Sequence, residues 1–284
     1  MDFSEWIGRS ETMSDTVTAA PYAGLSATLD RPAGRPAEGT RLPALWHWLC
    51  FLPMERQSKI GPDGHPKRGG FLPPVPLPRR MWAGSQFEFH EPLRIGDAIT
   101  RTSTIQDVTE KSGRTGTLVF VKVRHKISRG DTLAITEFHD IVYRDAPKPD
   151  DVAPPPKAAT SPGGPPSSAW EREWRTDDVL LFRYSALTFN GHRIHYDRRY
   201  VTETEGYPGL VVHGPLIATL LLDQLRHRLP NAEVVKYEFR AVRPTFDINP
   251  FSVCGEALDD GKTFHLWAMD HEGWLTMDAT AVIR

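Results

Sequence analysis

A proline-rich segment divides this chain of 284 residues into two parts of similar length. Residues 145–169 read DAPKPDDVAPPPKAATSPGGPPSSA and hold eight of the 25 prolines, with almost no side chain that could enter a core. Such a segment is extended and solvated, so it connects folded units rather than packing into one. The sequence therefore predicts two domains, at 1–144 and 170–284, joined by this linker.

The two predicted domains repeat one order of elements. Each begins with a short, very apolar helix, predicted at 44–52 in the first half and from Gly214 to about residue 225 in the second. Neither helix has a clean polar face, which predicts burial on most sides. Strands are then predicted from period-two patterns and turn residues at 87–90, 99–105, 119–124, 237–240, 251–257, 264–269 and 276–282.

This order predicts the α+β class and, within it, a double hotdog. In a hotdog, a curled antiparallel sheet wraps around one buried helix, and two copies in one chain would account for both halves. Two unrelated α+β domains are the alternative that the pattern leaves open.

Composition excludes several classes of partner. The formal net charge is −2, which provides no field to attract nucleic acid or anionic lipid. Cys50 and Cys254 are far apart and no CxxC is present, so a reducing compartment is favoured. The N-terminus lacks a basic and apolar leader, and the longest apolar run, 215–222, is too short to span a bilayer. We therefore expect a soluble cytoplasmic protein.

Residues 182–197 concentrate groups that can do chemistry. His192, His195 and the Asn190 amide lie within six residues of one another. One interpretation is structural, because Asn-Gly between alternating residues is a strong signal for a type I′ hairpin, which would place both histidines on the surface.

The other interpretation uses the helix that follows. Its N-terminus offers unpaired N–H groups and a partial positive charge, which suit a thioester carbonyl that becomes enolate-like. The Gly214 N–H can donate there, whereas Pro215 has no N–H. A histidine-bearing loop and a free helix end, close together in sequence, predict a base beside an oxyanion site.

The segment from Thr188 to His195 resembles the motif of the MaoC-like, or type 2, enoyl-thioester hydratase family, which reads (S/T)-G-D-x-N-P-x-H. Thr188 matches the hydroxyl position, His195 the histidine, and His213-Gly214 the helix entry. The first half resembles only the degenerate partner domain of such chains. The resemblance implies reversible hydration of a 2-enoyl thioester of coenzyme A or an acyl-carrier protein, with the acyl tunnel shaped by the first half.

Four positions depart from the family motif. Asn190 stands in place of the aspartate, and Phe189, His192 and Arg193 replace Gly, Asn and Pro. An amide cannot take a proton, so the resemblance implies that Asn190 orients water and leaves His195 as the general acid and base.

The string Asn-Gly-His-Arg-Ile-His-Tyr-Asp resembles one subgroup of the family. That subgroup includes mitochondrial 3-hydroxyacyl-thioester dehydratases and bacterial hydratases of mesaconyl- or itaconyl-CoA. A branched C4 or C5 dicarboxylyl thioester, such as mesaconyl-, itaconyl- or citramalyl-CoA, is therefore one expectation for the substrate, and a linear enoyl chain is the other. Arg193 could pair with a substrate carboxylate.

The remaining signals are weaker. Arg240 and Arg243 could meet the phosphates of coenzyme A, or could be ordinary charges at a strand end. His192 and Asp197 have the H-x4-D spacing of glycerolipid acyltransferases, but the rest of that pattern is missing. A zinc site from His192, His195 and His213 fits no compact set of ligands, and no metal or redox cofactor is expected.

Two alternatives for the function stay open, and one expectation concerns assembly. The missing aspartate is also compatible with a non-catalytic acyl-thioester-binding protein, and the fold is compatible with a thioesterase. Hotdog domains commonly pair through sheet edges, so a homodimer is expected by analogy.

Overall fold

The computed structural model describes residues 3–31, 34–113, 116–146, 155–159 and 169–284. Its described part forms one antiparallel sheet of ten strands. The strands are β1 (Ser10–Thr16), β2 (Arg79–Phe89), β3 (Ala98–Gly113), β4 (Gly116–Arg129), β5 (Thr132–Arg144), β6 (Trp170–Trp174), β7 (Val234–Ala241), β8 (Phe251–Ala257), β9 (Thr263–Asp270) and β10 (Leu275–Ile283). Six of the seven predicted strands lie within these elements, the one predicted at 87–90 extends one residue past the end of β2, and the α+β double hotdog is confirmed.

The sheet is built from two halves in mirrored order. Its strands run β1-β3-β4-β5-β2 and continue as β7-β10-β9-β8-β6, so each half contributes its second strand to the centre. There Phe87 of β2 lies opposite Tyr237 of β7. These two residues also correspond when the halves are aligned by sequence, which places the approximate two-fold relation at this pair.

The helices break this symmetry. They are α1 (Ala19–Thr28), α2 (Asp178–Leu187), α3 (Arg198–Glu203) and α4 (Gly214–Arg228). The predicted second helix is α4, which begins with Pro at its first turn and buries every side chain from Leu216 to Leu225. The helix predicted at 44–52 is wrong, because only a four-residue 3-10 helix, Trp46–Leu49, forms there.

Backbone geometry explains that error. Leu45 and Phe51, on either side of the 3-10 helix, adopt left-handed φ values of 70° and 54°, which an α-helix does not accommodate. The apolar run is nonetheless buried, since Leu45, Trp46 and Leu49 are each at most 5% exposed. Apolar character predicted burial correctly but did not determine helical structure.

One core joins both halves. Helix α4 packs against β8, β9 and β10, and its leucines share a continuous apolar cluster with Trp46, Phe87 and Tyr237. Among the described residues, none of the helices combines the length and apolar character that crossing a bilayer requires.

The proline-rich linker is only partly described. Residues 147–154 and 160–168 lie outside the described residues, so the expectation of an extended segment is not tested there. Residues 157–159 pack, contrary to expectation. Lys157 accepts a hydrogen bond from the Leu275 N–H, Ala159 donates to the Gly273 carbonyl, and Ala158 bridges to Trp274.

Candidate active site

His195 is a buried imidazole whose Nε2 has no hydrogen-bond partner in the part of the chain that the structure describes. It ends the 3-10 turn Arg193–His195, is 8% exposed, and its Nδ1 lies 2.7 Å from the carbonyl oxygen of Val211. A carbonyl only accepts, so the neutral ring donates from Nδ1 and keeps a lone pair on Nε2. Burial lowers the pKa of His195 to about 4, against the opposing effect of the Val211 hydrogen bond. At neutral pH the ring is therefore an uncharged base.

The N-terminus of α4 lies beside this ring. His213, the residue before Gly214, stacks on His195 with ring centroids 3.7 Å apart and planes inclined by 18°. The His213 Nε2 is 2.8 Å from the Ser185 hydroxyl, which holds the stacked ring, and burial keeps the pKa of His213 well below its usual value. The predicted proximity of the imidazole and the helix end is thus present.

Gly214 leaves that helix end accessible. Among the described residues, its N–H donates no hydrogen bond. A Cβ placed at residue 214 would have a single neighbour within 4 Å, the Cε of Met277 at 4.0 Å. A free donor beside open space at a helix N-terminus can polarise a carbonyl oxygen.

Asn190 holds the loop that carries the histidines. Helix α2 ends at Leu187, Phe189 turns the chain with a left-handed φ of 50°, and the Asn190 Oδ1 accepts the His192 N–H at 3.0 Å. No strand forms here, so the alternative of a surface hairpin is wrong. Because Oδ1 is engaged, the side chain presents mainly its NH2 donors, which can orient a water molecule but cannot accept its proton.

Two other predicted residues have structural contacts. The Thr188 hydroxyl donates to the Tyr184 carbonyl at 2.8 Å and closes the end of α2. Arg193 donates to Asp197 from Nε and Nη2 and to the Pro62 carbonyl from Nη1, and its guanidinium lies over the Tyr200 ring. The guanidinium therefore joins two loops, and we do not assign it the substrate carboxylate.

A turn from the first half reaches the site, which the sequence did not predict. The Arg193 N–H donates to the Asp63 carbonyl at 2.9 Å. Gly64 adopts a φ of +91° and approaches Gly191 so closely that a Cβ at residue 64 would overlap the Gly191 carbonyl. The only local signal for this turn is the sequence Gly61-Pro62-Asp63-Gly64, which is typical of a tight turn but does not indicate what the turn contacts.

This turn adds His65 to the site. The His65 ring lies 4.0 Å from the His192 ring, which lies 5.5 Å from His195, so a row of imidazoles runs from the first half to α4. Asp63 accepts from the His65 backbone N–H at 3.0 Å, and its carboxylate lies 3.1 Å from the His65 Nδ1. Burial lowers the pKa of His65, while Asp63 opposes that shift.

Among the described residues, the possible ligand atoms of Asp63, His65 and His192 lie within 4.8 Å of one another, which is near enough to hold a metal ion. The His65 Nδ1 is already hydrogen-bonded to Asp63, however, so coordination through that atom would break an existing bond. His195 and His213 are engaged with Val211 and Ser185. We assign no metal to this group.

Arg240 and Arg243 lie elsewhere. On β7 the buried side chains are Tyr237 and Phe239, so Arg240 points from the opposite face, where it lies 3.9 Å from Asp278. Arg243 lies 3.9 Å from Asp270. Nothing in these contacts distinguishes them from ordinary surface charges.

A double hotdog with an uncharged buried imidazole beside a helix N-terminus is an arrangement suited to an acyl-thioester hydratase or dehydratase. The model of the family described as hydroxyacyl-thioester dehydratase type 2 matches residues 45–247. The chain belongs to this family and is a hydro-lyase that acts on acyl thioesters.

One relative supports the family, and two solved structures agree with the fold. The chain is 46% identical over 279 residues to the mesaconyl-C(4)-CoA hydratase of Chloroflexus aurantiacus, which covers 98% of this chain and 97% of that protein. Its fold matches a MaoC-like dehydratase with a TM-score of 0.71 at 15% identity, over 100% of this chain and 99% of that one. It also matches a double-hotdog protein of Mycobacterium tuberculosis with a TM-score of 0.57 at 14% identity, over 98% and 96% of the two chains.

Proposed function

We propose that this protein adds water reversibly to a 2-enoyl-CoA whose acyl group carries a second carboxylate, as mesaconyl-C(4)-CoA does. The substrate class is supported by the 46% identity, over nearly the whole chain, to a hydratase named for that thioester. The observation that carries the chemistry is the His195 ring, whose Nδ1 is fixed on Val211 and whose face stacks beside the start of α4.

The mechanism follows from these positions. The thioester carbonyl accepts the Gly214 N–H and faces the positive end of α4, which stabilises negative charge on oxygen as the enolate forms. The Asn190 amide donates to the attacking water, and the His195 Nε2 takes one proton from it as its oxygen bonds to the β-carbon. The imidazolium then gives that proton to the α-carbon, so one water molecule is added in total. Dehydration follows the same steps in reverse.

One assay tests this function. Crotonyl-, mesaconyl-, itaconyl- and longer enoyl-CoA are compared by loss of absorbance of the conjugated double bond. We expect hydration by the wild type and a fall in kcat of about 10²- to 10⁴-fold for His195→Ala, the range for loss of a general acid and base. His271→Ala, on an exposed turn of the same half, is the matched control and should keep the wild-type rate.

The other outcomes of the assay identify the alternatives. Tight binding without loss of the double bond would indicate a non-catalytic binding protein, and release of free coenzyme A would indicate a thioesterase. A His195→Ala protein with the wild-type rate would refute the assigned role of His195.

We further propose a cytoplasmic homodimer with domains at 1–144 and 170–284. The mirrored strand order supports this division of the chain.

Cys50 and Cys254 are free thiols, which supports the proposed reducing compartment. Light scattering coupled to gel filtration would measure the mass, and 64 kDa, twice the chain mass of 32.0 kDa, is expected.

A further inference from the structure

Two contacts from one short segment orient the ring of His195. Its Nδ1 lies 2.7 Å from the Val211 carbonyl oxygen, and its face stacks on the His213 ring with centroids 3.7 Å apart. The Val211 N–H donates in return to the Ile194 carbonyl at 3.0 Å. A ring held by one hydrogen bond can still rotate about that bond. The His213 face therefore fixes the plane of the His195 ring and with it the direction of the Nε2 lone pair.

His213 is in turn held by Ser185. The His213 Nε2 and the Ser185 hydroxyl oxygen are 2.8 Å apart, and both residues are buried. Neither side chain forms another hydrogen bond with the described residues, so the buried His213 Nδ1 is unpaired among them. An unpaired buried polar atom costs free energy, which a phenyl ring stacked in the same place would avoid. Stacking alone therefore does not account for an imidazole at residue 213, whereas the hydrogen bond to Ser185 does.

Ser185 also holds the loop that carries Asn190. Its carbonyl oxygen accepts the Asn190 N–H at 2.8 Å, just beyond the end of α2. The backbone of Ser185 thus fixes the residue that is proposed to orient the water, and its side chain fixes the ring that supports the proposed base. One residue of α2 therefore links Asn190 to His195, and the rate of water addition depends on how these two groups are aligned.

We propose that Ser185 is a positioning residue for the hydration. Through its hydrogen bond to His213, it holds the stacked ring that orients His195 toward the water at Asn190. Ser185 acts through these residues and has no contact with the substrate in this account. The role rests on the proposed hydration at His195 and adds to it a residue outside the loop 188–195.

The first test compares Ser185→Ala with the wild type by kcat and KM, for the enoyl-CoA that the wild type hydrates fastest. Alanine keeps the carbonyl that holds Asn190 and the neighbouring Tyr184 ring, which meets His213 at a centroid distance of 4.9 Å. We expect kcat to fall about 10- to 100-fold, because a small misplacement of a reacting group has an effect of this size. KM should stay within about threefold, because the Gly214 N–H is unchanged.

Ser26→Ala is the matched control. Ser26 is a buried serine of α1, the helix that packs on α2, and its hydroxyl has no hydrogen-bond partner among the described residues. Loss of this hydroxyl should leave kcat and KM at the wild-type values. Thermal unfolding shows that each variant is folded at the assay temperature. An equal fall in kcat for both variants would mean that the effect is not specific to Ser185 and would overturn its role.

A double-mutant cycle separates positioning through His213 from a structural role. His213→Phe keeps an aromatic ring to stack on His195 but cannot form the hydrogen bond to Ser185. Ser185→Ala should therefore change kcat less than about threefold in this background. An equal fall in both backgrounds would show that Ser185 acts independently of His213 and would overturn the inference. If His213→Phe does not fold, His213→Gln, which has no ring, takes its place with the same expectation.

The positioning role and the proposed function fail in different ways. A Ser185→Ala protein with the wild-type kcat would overturn the positioning role and leave hydration by His195 intact. A wild type that hydrates none of the enoyl-CoA substrates would refute the proposed function, and this inference with it.

Discussion

Equivalent positions in the two halves carry opposite chemistry. One strand outward from the central Phe87–Tyr237 pair, the first half places Glu137 and the second half places Ala281. One strand further, the first half has His125 and the second has Phe264. This row of inward-facing side chains is thus polar in the first half of the sheet and apolar in the second half.

The helix accounts for this difference. In the second half α4 packs on the inner face, and an apolar helix requires apolar residues beneath it. In the first half a single 3-10 turn brings His47 over the sheet, where its Nε2 lies 3.1 Å from a Glu137 carboxylate oxygen. Burial alone would raise the pKa of Glu137, but the hydrogen bond and charge of His47 hold it at about 2. Where the first half has this short turn instead of a long apolar helix, polar groups lie on the inner face of the sheet.

The largest expected effect concerns this buried pair. Glu137→Ala leaves His47 without its partner at a site where both side chains are at most 5% exposed, and should lower the free energy of unfolding by about 3–5 kcal/mol. Urea unfolding measures it. The double variant His47→Leu/Glu137→Leu, which makes this position resemble the second half, should recover most of the loss. A double variant as unstable as Glu137→Ala would contradict the comparison.

The second largest effect is expected at the contact between Gly64 and Gly191, which joins the two halves at the active site. Gly64→Ala adds a methyl group that overlaps the Gly191 carbonyl, and we expect a loss of about 1–3 kcal/mol together with a lower kcat, because the loop of His192 and His195 must shift. Gly69→Ala is the matched control, with a similar φ of +88° but no atom within 4 Å of the new Cβ. Equal effects from both variants would mean that only backbone strain matters.

A smaller effect is expected at the start of α4. Gly214→Ala should preserve or slightly raise stability, since alanine is favoured over glycine in a helix by up to about 1 kcal/mol. Its methyl group occupies space proposed for the thioester, so kcat/KM should fall by about 10- to 100-fold, or ~1.4–2.8 kcal/mol. Thermal unfolding and hydration rates together separate the two effects. An unchanged kcat/KM would place the thioester elsewhere.

The smallest effect per group is the dependence of stability on pH. Burial lowers the pKa of His195 and His125 to about 4 and of His139 to about 3. The unfolded chain binds these protons near pH 6.5, so stability is full above that pH and falls as pH decreases toward the folded pKa values. Each imidazole should contribute about 1.4 kcal/mol per pH unit.

Urea unfolding at pH 7.5, 6.5 and 5.5 measures this slope, above the range where carboxylates titrate. The variant His125→Phe carries the residue that the second half has at the equivalent position. This variant should reduce the slope of the free energy of unfolding against pH by the contribution of one proton, about 1.4 kcal/mol per pH unit. An unfolding free energy that is constant from pH 7.5 to 5.5 would exclude desolvated histidines in the first half.

Much of the fold and of the candidate site was predictable from the sequence, because the signals for them are local. Strand patterns, Pro215 at the first turn of α4, and the closeness of His195 to Gly214 along the chain all depend on neighbouring residues. The first-half helix was not predicted correctly, because apolar residues 44–52 indicate burial whichever backbone conformation they adopt. The linker residues 157–159 pack because the turn between β9 and β10 offers them free backbone partners.

The sequence by itself determined two repeated runs of strands, a buried helix and an imidazole close to its start along the chain. Only the tertiary structure decided that the turn of Asp63 and His65 reaches the loop of that imidazole, and that Arg193 is already occupied by Asp197. These residues come from opposite sides of the proline-rich segment, and pairing of β2 with β7 brings them together. Contacts between residues more than a hundred positions apart depend on how the sheets join, which no local pattern encodes.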